Sequence, residues 1–190
     1  MRILVSGPPL AGKTRQGGNL ARMLGVPHVS SGDLIRQAAA AGVPVAMRML
    51  GLVSDGTLAP SDAITRLVLA RLAEPDCRGG FVLDGFPRRL PEAEALLDHH
   101  AIDALFVLEA PSDILFERLR YRAAQGRADD DPSTLPRRIL AFEIETRTAH
   151  SLLADAGVPY NRVDAVGDAD DISRAILEAL PAPAAAPCFC

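Results

Sequence analysis

One lysine stands among 190 residues, and it lies inside Gly7-Pro8-Pro9-Leu10-Ala11-Gly12-Lys13-Thr14. All other basic residues of the 20 in the chain are arginines. The octet fits Gly-x-x-x-x-Gly-Lys-Ser/Thr, a phosphate-binding loop whose backbone N–H groups and following helix N-terminus cradle an anion. Such a loop needs a compact ammonium on a flexible stem, and a rigid guanidinium does not replace it. The loop also dictates its surroundings, because it must join a buried strand to a helix. Arg2-Ile3-Leu4-Val5 reads as that strand, and Gln16 to Leu24 as that helix.

Strand and helix signals alternate along the rest of the chain. Pro27-His28-Val29, Phe81-Val82-Leu83, Ala104 to Leu108 and Pro159 to Val163 read as further strands. Ser61 is placed to cap a helix running to Arg71, and Pro91 to begin another. Ser112-Asp113 opens a third and Asp168 to Asp171 the last, while Gly56 ends one that starts near Pro44. Apolar strands separated by helices predict an α/β chain, a three-layer phosphate-loop fold with a five-stranded parallel sheet. Ligands of such sheets sit at the carboxyl ends of the strands. The glycine loop and Asp84-Gly85-Phe86-Pro87-Arg88 are therefore expected to be neighbours.

Composition narrows the function. A length of 190 residues predicts a single domain over residues 1–180, and the Pro/Ala-rich stretch 181–190 is expected to be a disordered tail. A net charge of −4 argues against a nucleic-acid partner. No apolar run reaches membrane-spanning length, so no membrane partner is expected. A first strand at residue 2 leaves no room for a signal peptide, and Cys77, Cys188 and Cys190 form neither a disulfide framework nor a metal pattern. The expected setting is the cytoplasm, and the expected state a monomer.

Three further segments carry chemistry. Ser31-Gly32-Asp33-Leu34-Ile35-Arg36 puts a hydroxyl and a guanidinium around a helix start. Asp84 follows an apolar strand, where its carboxylate can hold Mg2+ through water. Arg118, Arg120, Arg122, Arg127, Arg137 and Arg138 bracket Ala128-Asp129-Asp130-Asp131, where Gly126 and Pro132 interrupt the helical pattern. A short charged loop of that kind can close over a ligand.

These segments, in this order and spacing, resemble the adenylate kinase family over about residues 1–180. The resemblance implies reversible phosphoryl transfer from Mg-ATP to a nucleoside monophosphate, with AMP the expected acceptor and Mg2+ the cofactor. It implies that Gly7, Pro8, Pro9, Leu10, Ala11, Gly12, Lys13 and Thr14 hold the donor phosphates. Arg118 would lie over the donor base and Gly167 would meet it. Ser31, Arg36, Thr57, Leu58, Ala59, Gly85, Phe86, Arg88 and Glu92 would hold the acceptor. Arg122, Arg127 and Arg138 would reach the phosphates in transfer, and Asp84 with Thr14 would organise Mg2+. Residues of about 30–60 would form the acceptor-binding helices, and about 122–132 a short mobile lid without zinc-binding cysteines. No general base is needed, since the attacking phosphate is already ionised. Positioning and charge neutralisation suffice.

The chain departs from the family pattern at three places. Leu10 replaces a glycine, a strain of roughly 1–2 kcal/mol if φ there is positive. Thr14-Arg15 replaces Gly-Thr, and Gly17 and Gly18 weaken the helix by about 1 kcal/mol each. Glu92 replaces the glutamine that reads the acceptor base. An ionised carboxylate only accepts hydrogen bonds, so it matches guanine's adjacent donors better than adenine's mixed edge. Two other readings compete: Glu92 as an exposed first-turn residue favourable to the helix dipole, or protonated in the site so that it mimics the amide. Alternatives to AMP kinase are therefore GMP or another monophosphate as acceptor, or a nucleotide-binding regulator that has lost turnover. A phosphate-loop kinase for a non-nucleotide substrate is disfavoured by the intact Asp84 to Arg88 segment.

Overall fold

A computed structural model describes residues 1–123 and 132–181. Most of the expected lid, Arg127 included, and the tail beyond residue 181 lie outside the described residues. Five strands form one sheet: β1 Arg2–Ser6, β2 His28–Ser30, β3 Phe81–Asp84, β4 Ala104–Glu109 and β5 Tyr160–Asp164. Their order is β2-β3-β1-β4-β5 and every neighbouring pair is parallel. Each expected strand is present, shifted or extended by one or two residues.

Both faces of the sheet are buried, which explains why its strands read as unbroken apolar runs. Leu4, Leu83, Leu105 and Val107 point into one core, beneath α2 (Ser31–Ala40), α3 (Pro44–Ser54), α4 (Ser61–Leu72) and α5 (Leu90–His99). Ile3, Val5, Val82, Phe106 and Leu108 point into the other, beneath α1 (Lys13–Leu24), α6 (Ser112–Ala123) and α9 (Ala169–Glu178). β1 is the hub. The chain leaves it towards β2 and β3 on one side, while β4 and β5 lie on the other. A crevice opens where the order reverses, at the carboxyl end of β1.

Helix boundaries follow the sequence signals to within a few residues, α1 starting at Lys13 rather than Gln16 and α5 at Leu90 rather than Pro91. Asp168 caps α9 by accepting from the Asp170 N–H at 2.8 Å. Gly56, at φ 79°, follows α3 in the left-handed conformation. Ser61, expected to cap α4, is instead its first helical residue, and its hydroxyl is used elsewhere. No helix beyond α6 is expected before Asp168, yet α7 (Leu135–Ala141) and α8 (Arg147–Asp155) lie there. Between them the helix widens into a π turn, Phe142–Thr146. A π turn is a feature that often accompanies functional sites.

His150, on α8, is only 2% exposed and lies edge-on to Phe142 and Tyr160. Burial, with a smaller push from the Arg147 cation, lowers its imidazole from 6.5 to about 4. The unfolded chain therefore binds a proton between those values that the folded chain refuses. This contribution to stability is complete above pH 6.5 and is lost as pH falls towards 4, about 3 kcal/mol in all. Denaturation of wild type and His150→Leu in parallel should show the variant gaining on wild type by that order between pH 7 and 4. A difference that stays constant with pH contradicts the assignment.

Candidate active site

The phosphate loop spans residues 7–12, between β1 and α1. Gly7 (φ 145°) starts it, and a Cβ there would stand 2.6 Å from the Leu108 carbonyl on the adjacent strand. Only glycine allows β1 and β4 to hold the loop that close. Leu10 does sit in the left-handed region, at φ 66°. The strain anticipated from the sequence is therefore present, but the Leu10 side chain is 7% exposed and belongs to the α1 core. Burying a leucine is worth roughly 1.5–3 kcal/mol, enough to outweigh that strain.

The loop borders a cavity of about 570 Å³ at the carboxyl ends of β1 and β3. Lys13, Arg88, Arg122 and Arg138 all border it, from the start of α1, the β3–α5 connection, α6 and α7. Lys13 Nζ donates to the carbonyls of Gly7 (2.9 Å) and Pro8 (2.7 Å). Burial and the nearby Arg88 cation pull its ammonium down to about 7, with Asp84 opposing and Arg138 and Arg122 adding to the depression. Arg88 is lowered as well, by burial first and then by Arg138. These mutual effects are the electrostatic signature of cations crowded in one desolvated place.

Arg118 joins two parts of the site. Its guanidinium donates to the Leu10 carbonyl at 3.2 Å and to the Ala165 carbonyl at 2.5 Å. That fixes the phosphate loop to the segment leading to Gly167, which also borders the cavity. Asp84, 3% exposed, ends β3 in register with Ser30. Its Oδ2 lies 2.7 Å from His28 Nε2, and its Oδ1 accepts from Ser30 Oγ at 3.2 Å. Neither partner was found from the sequence. Gly17 explains how His28 reaches Asp84, since a Cβ on Gly17 would come within 2.7 Å of His28 Nε2. The helix-weakening glycine thus clears a path for a buried polar pair.

Among the described residues no cluster of three or more His, Cys, Asp or Glu could hold a metal ion. A single carboxylate with an exposed Thr14 hydroxyl nearby suits a hard cation that keeps its waters and brings phosphate ligands with it.

A recess of about 40 Å³ adjoins the cavity, bordered by Ser31, Ala59, Ile64, Gly85, Arg88 and Glu92. Ser31 Oγ donates to the Gly85 carbonyl at 2.8 Å. Gly85 has φ 75°, and a Cβ on it would strike that hydroxyl at 2.5 Å. Arg36, Thr57 and Leu58 border the main cavity beside it, and Phe86 lies in the core below. Glu92 is 2% exposed, so it is not a solvated first-turn residue. Its Oε1 accepts from Ser61 Oγ (2.9 Å) and its Oε2 from the Arg88 N–H (2.7 Å). Arg89, overlooked in the sequence, donates to the Ala59 carbonyl at 2.9 Å and pairs with Glu145 of the π turn.

The balance at Leu10 is open to measurement. Leu10→Gly removes the strain but also the buried side chain, and it loosens the unfolded chain. It should destabilise by about 1 kcal/mol in urea denaturation, and a stabilised variant would show that strain dominates.

The family model described as adenylate kinase matches residues 5–154. The adenylate kinase of Xylella fastidiosa (strain 9a5c) is 35% identical over 186 residues, covering 95% of this chain and 99% of that protein. Adenylate kinases of Nitrobacter winogradskyi (34% over 192 residues; 95% and 93% covered) and Xanthomonas oryzae pv. oryzae (strain MAFF 311018; 34% over 186 residues; 95% and 99% covered) are similar to it as well. By its phosphate loop, its parallel sheet and this similarity along almost its whole length, the chain belongs to the adenylate kinase family.

Proposed function

We propose that this chain catalyses reversible transfer of a phosphoryl group from Mg-ATP to AMP, giving two ADP. The observation that carries the reading is the convergence of Lys13, Arg88, Arg122 and Arg138 on one cavity at the mouth of the phosphate loop. Two polyanions repel each other in water. A site that presents several cations offsets that repulsion and aligns the reacting oxygens. The three relatives reported above, each covering nearly the whole chain, bear the name adenylate kinase. Neither the GMP reading nor the inactive regulator has support of that kind.

In this reading the loop amides and Lys13 hold the donor phosphates, with Arg118 and Gly167 at the donor base. Arg36, Arg88, Ser31, Gly85 and the backbone of 57–59 hold the acceptor. Arg138 and Arg122 bridge the group in transfer, and Arg127, outside the described residues, is expected to join them. Asp84 and Thr14 would hold a Mg2+ ion brought with ATP, which would supply charge neutralisation at the phosphates. His28 and Ser30 hold the Asp84 carboxylate at the cavity edge. The working unit proposed is the monomer.

Lys13 gives the sharpest test. Lys13→Ala should lower turnover at least about 100-fold with an unchanged circular dichroism spectrum. Turnover within tenfold of wild type contradicts the reading. The ammonium also links binding to pH. It is half neutral near pH 7 in the free protein, and bound phosphates would raise its pKa. Binding ATP at pH 8 should therefore take up about one proton, and affinity should fall as pH rises above 7. Calorimetry in buffers of different ionisation enthalpy measures the uptake, and Lys13→Met should abolish it.

Glu92 tests the acceptor side. Its carboxylate can accept from the adenine amino group, but it faces the ring N1, another acceptor. Glutamine would keep the Arg88 N–H bond and add a donor for N1. Glu92→Gln should raise kcat/KM for AMP roughly fivefold, with the KM for ATP unchanged and the AMP-to-GMP ratio increased. An unchanged ratio means that Glu92 does not read the base.

A further inference from the structure

The pair Ser6 and His150 lies outside every role assigned above, and it sits against the cavity. Ser6 is the last residue of β1, directly before Gly7, and it borders the cavity beside Thr146. His150 lies one turn beyond Thr146 on α8. Its Nε2 stands 2.8 Å from Ser6 Oγ, while its Nδ1 is buried with no hydrogen-bond partner. An imidazole with one satisfied and one orphaned nitrogen has two neutral forms, and they differ in consequence.

With the proton on Nδ1, the orphan is a buried N–H donor, and the Ser6 proton is spent on Nε2. With the proton on Nε2, the orphan is a bare acceptor, and His150 donates to Ser6 Oγ. Buried unpaired N–H groups are the rarer and costlier kind. The second form is therefore favoured, and it leaves the Ser6 hydroxyl proton without an intramolecular acceptor at the edge of a cavity crowded with cations. Only an oxygen in that cavity can take it.

We propose that Ser6 is a hydroxyl donor to the anion bound in the phosphate cavity, and that His150 is the positioning residue that turns its proton that way. The pair also ties the start of the loop to α8. It rests on the reading of the cavity as a phosphate site, and it adds one donor to those of the loop backbone and Lys13. His150 is suited to the task because it stays neutral. Phe142 and Tyr160 enclose the ring, and the charged groups around it are Arg147 on its own helix, with Glu143 of the π turn and Glu109 and Arg162 of the sheet edge grouped around Arg147 and Tyr160. A protonated His150 would keep its donation to Ser6 but bury a second, unmatched N–H.

A thermodynamic cycle on ATP affinity tests the proposal. Calorimetric titration of ATP into Ser6→Ala should show binding weakened about fivefold, the worth of one hydrogen bond. His150→Leu should weaken it by two- to fivefold, and the double variant should bind no worse than Ser6→Ala alone. His150→Gln keeps an amide donor for Ser6 and should bind as wild type does. Replacing both polar partners with apolar ones should leave thermal stability unchanged or raised, so loss of affinity without loss of stability separates this role from a packing role. The KM for AMP should not move. Ser6→Ala binding within 1.5-fold of wild type overturns the proposal, as does a His150→Leu effect that persists undiminished in the Ser6→Ala background. Weak binding by His150→Gln overturns the positioning role of the histidine. Wild-type turnover with ATP and AMP tests the kinase reading separately, because the binding cycle requires no catalysis.

Discussion

Crowded positive charge in a desolvated cavity is the constraint on which the rest of this structure depends. Lys13 is pulled down by burial and by Arg88, and Arg88 by burial and Arg138. A cluster of that kind opposes folding, and keeping its members away from carboxylates, which would relieve that cost, preserves their charge for an anion. The acceptors recorded for Lys13, Arg88 and Arg118 are carbonyl oxygens: Gly7 and Pro8 for the lysine, Gly85 for Arg88, Leu10 and Ala165 for Arg118. The peripheral arginines behave differently. Arg71 pairs with Asp76, Arg147 with Glu143 and Arg162 with Glu109. Carbonyls orient a cation without cancelling its charge, so the attraction of the site for an anion is preserved.

That arrangement needs rigid carbonyls, and the sheet supplies them. Gly7 and Gly85 follow parallel strands that are buried on both faces, and each has a positive φ and no space for a side chain. The loop is further fixed by Leu10, which anchors in the α1 core although its backbone is strained. Strain at a functional turn, offset by burial elsewhere, is a common bargain in folded proteins. The acceptor side is held more indirectly. Glu92 joins α4 to the Arg88 backbone through Ser61, and Arg89 links the Ala59 carbonyl to Glu145 in the π turn. These contacts couple the recess to the helical segment that carries Arg138.

Histidine serves this protein in two buried polar pairs, His28 with Asp84 and His150 with Ser6. Both end at the carboxyl edge of a strand that borders the cavity, and both depend on residues far away in sequence. Gly17 makes the first possible by lacking a side chain. The rings of Phe142 and Tyr160 enclose the second. In sequence, Gly17 reads only as a weak point of a helix, and His150 carries no signal of its own.

The sequence by itself determined the layer architecture, the five strands and the phosphate loop, because these rest on local signals: apolar runs, glycine spacing and capping residues. It also pointed to Lys13, Asp84 and Arg88 through motifs read along the chain and to Arg118 and Arg138 through the family resemblance, and all five border the cavity. Tertiary structure decided the rest. Ser61 looks like a helix cap until Glu92 is brought beside it. Glu92 looks open to solvent until its two oxygens meet Ser61 and the Arg88 amide. The helices from Leu135 to Asp155 were missed because their charged and apolar residues follow no single periodicity across the π turn. Arg89, His28, Ser6 and His150 carry no local signature at all. Their roles exist only where separate elements converge, because a hydrogen bond depends on the distance between atoms and not on their separation along the chain.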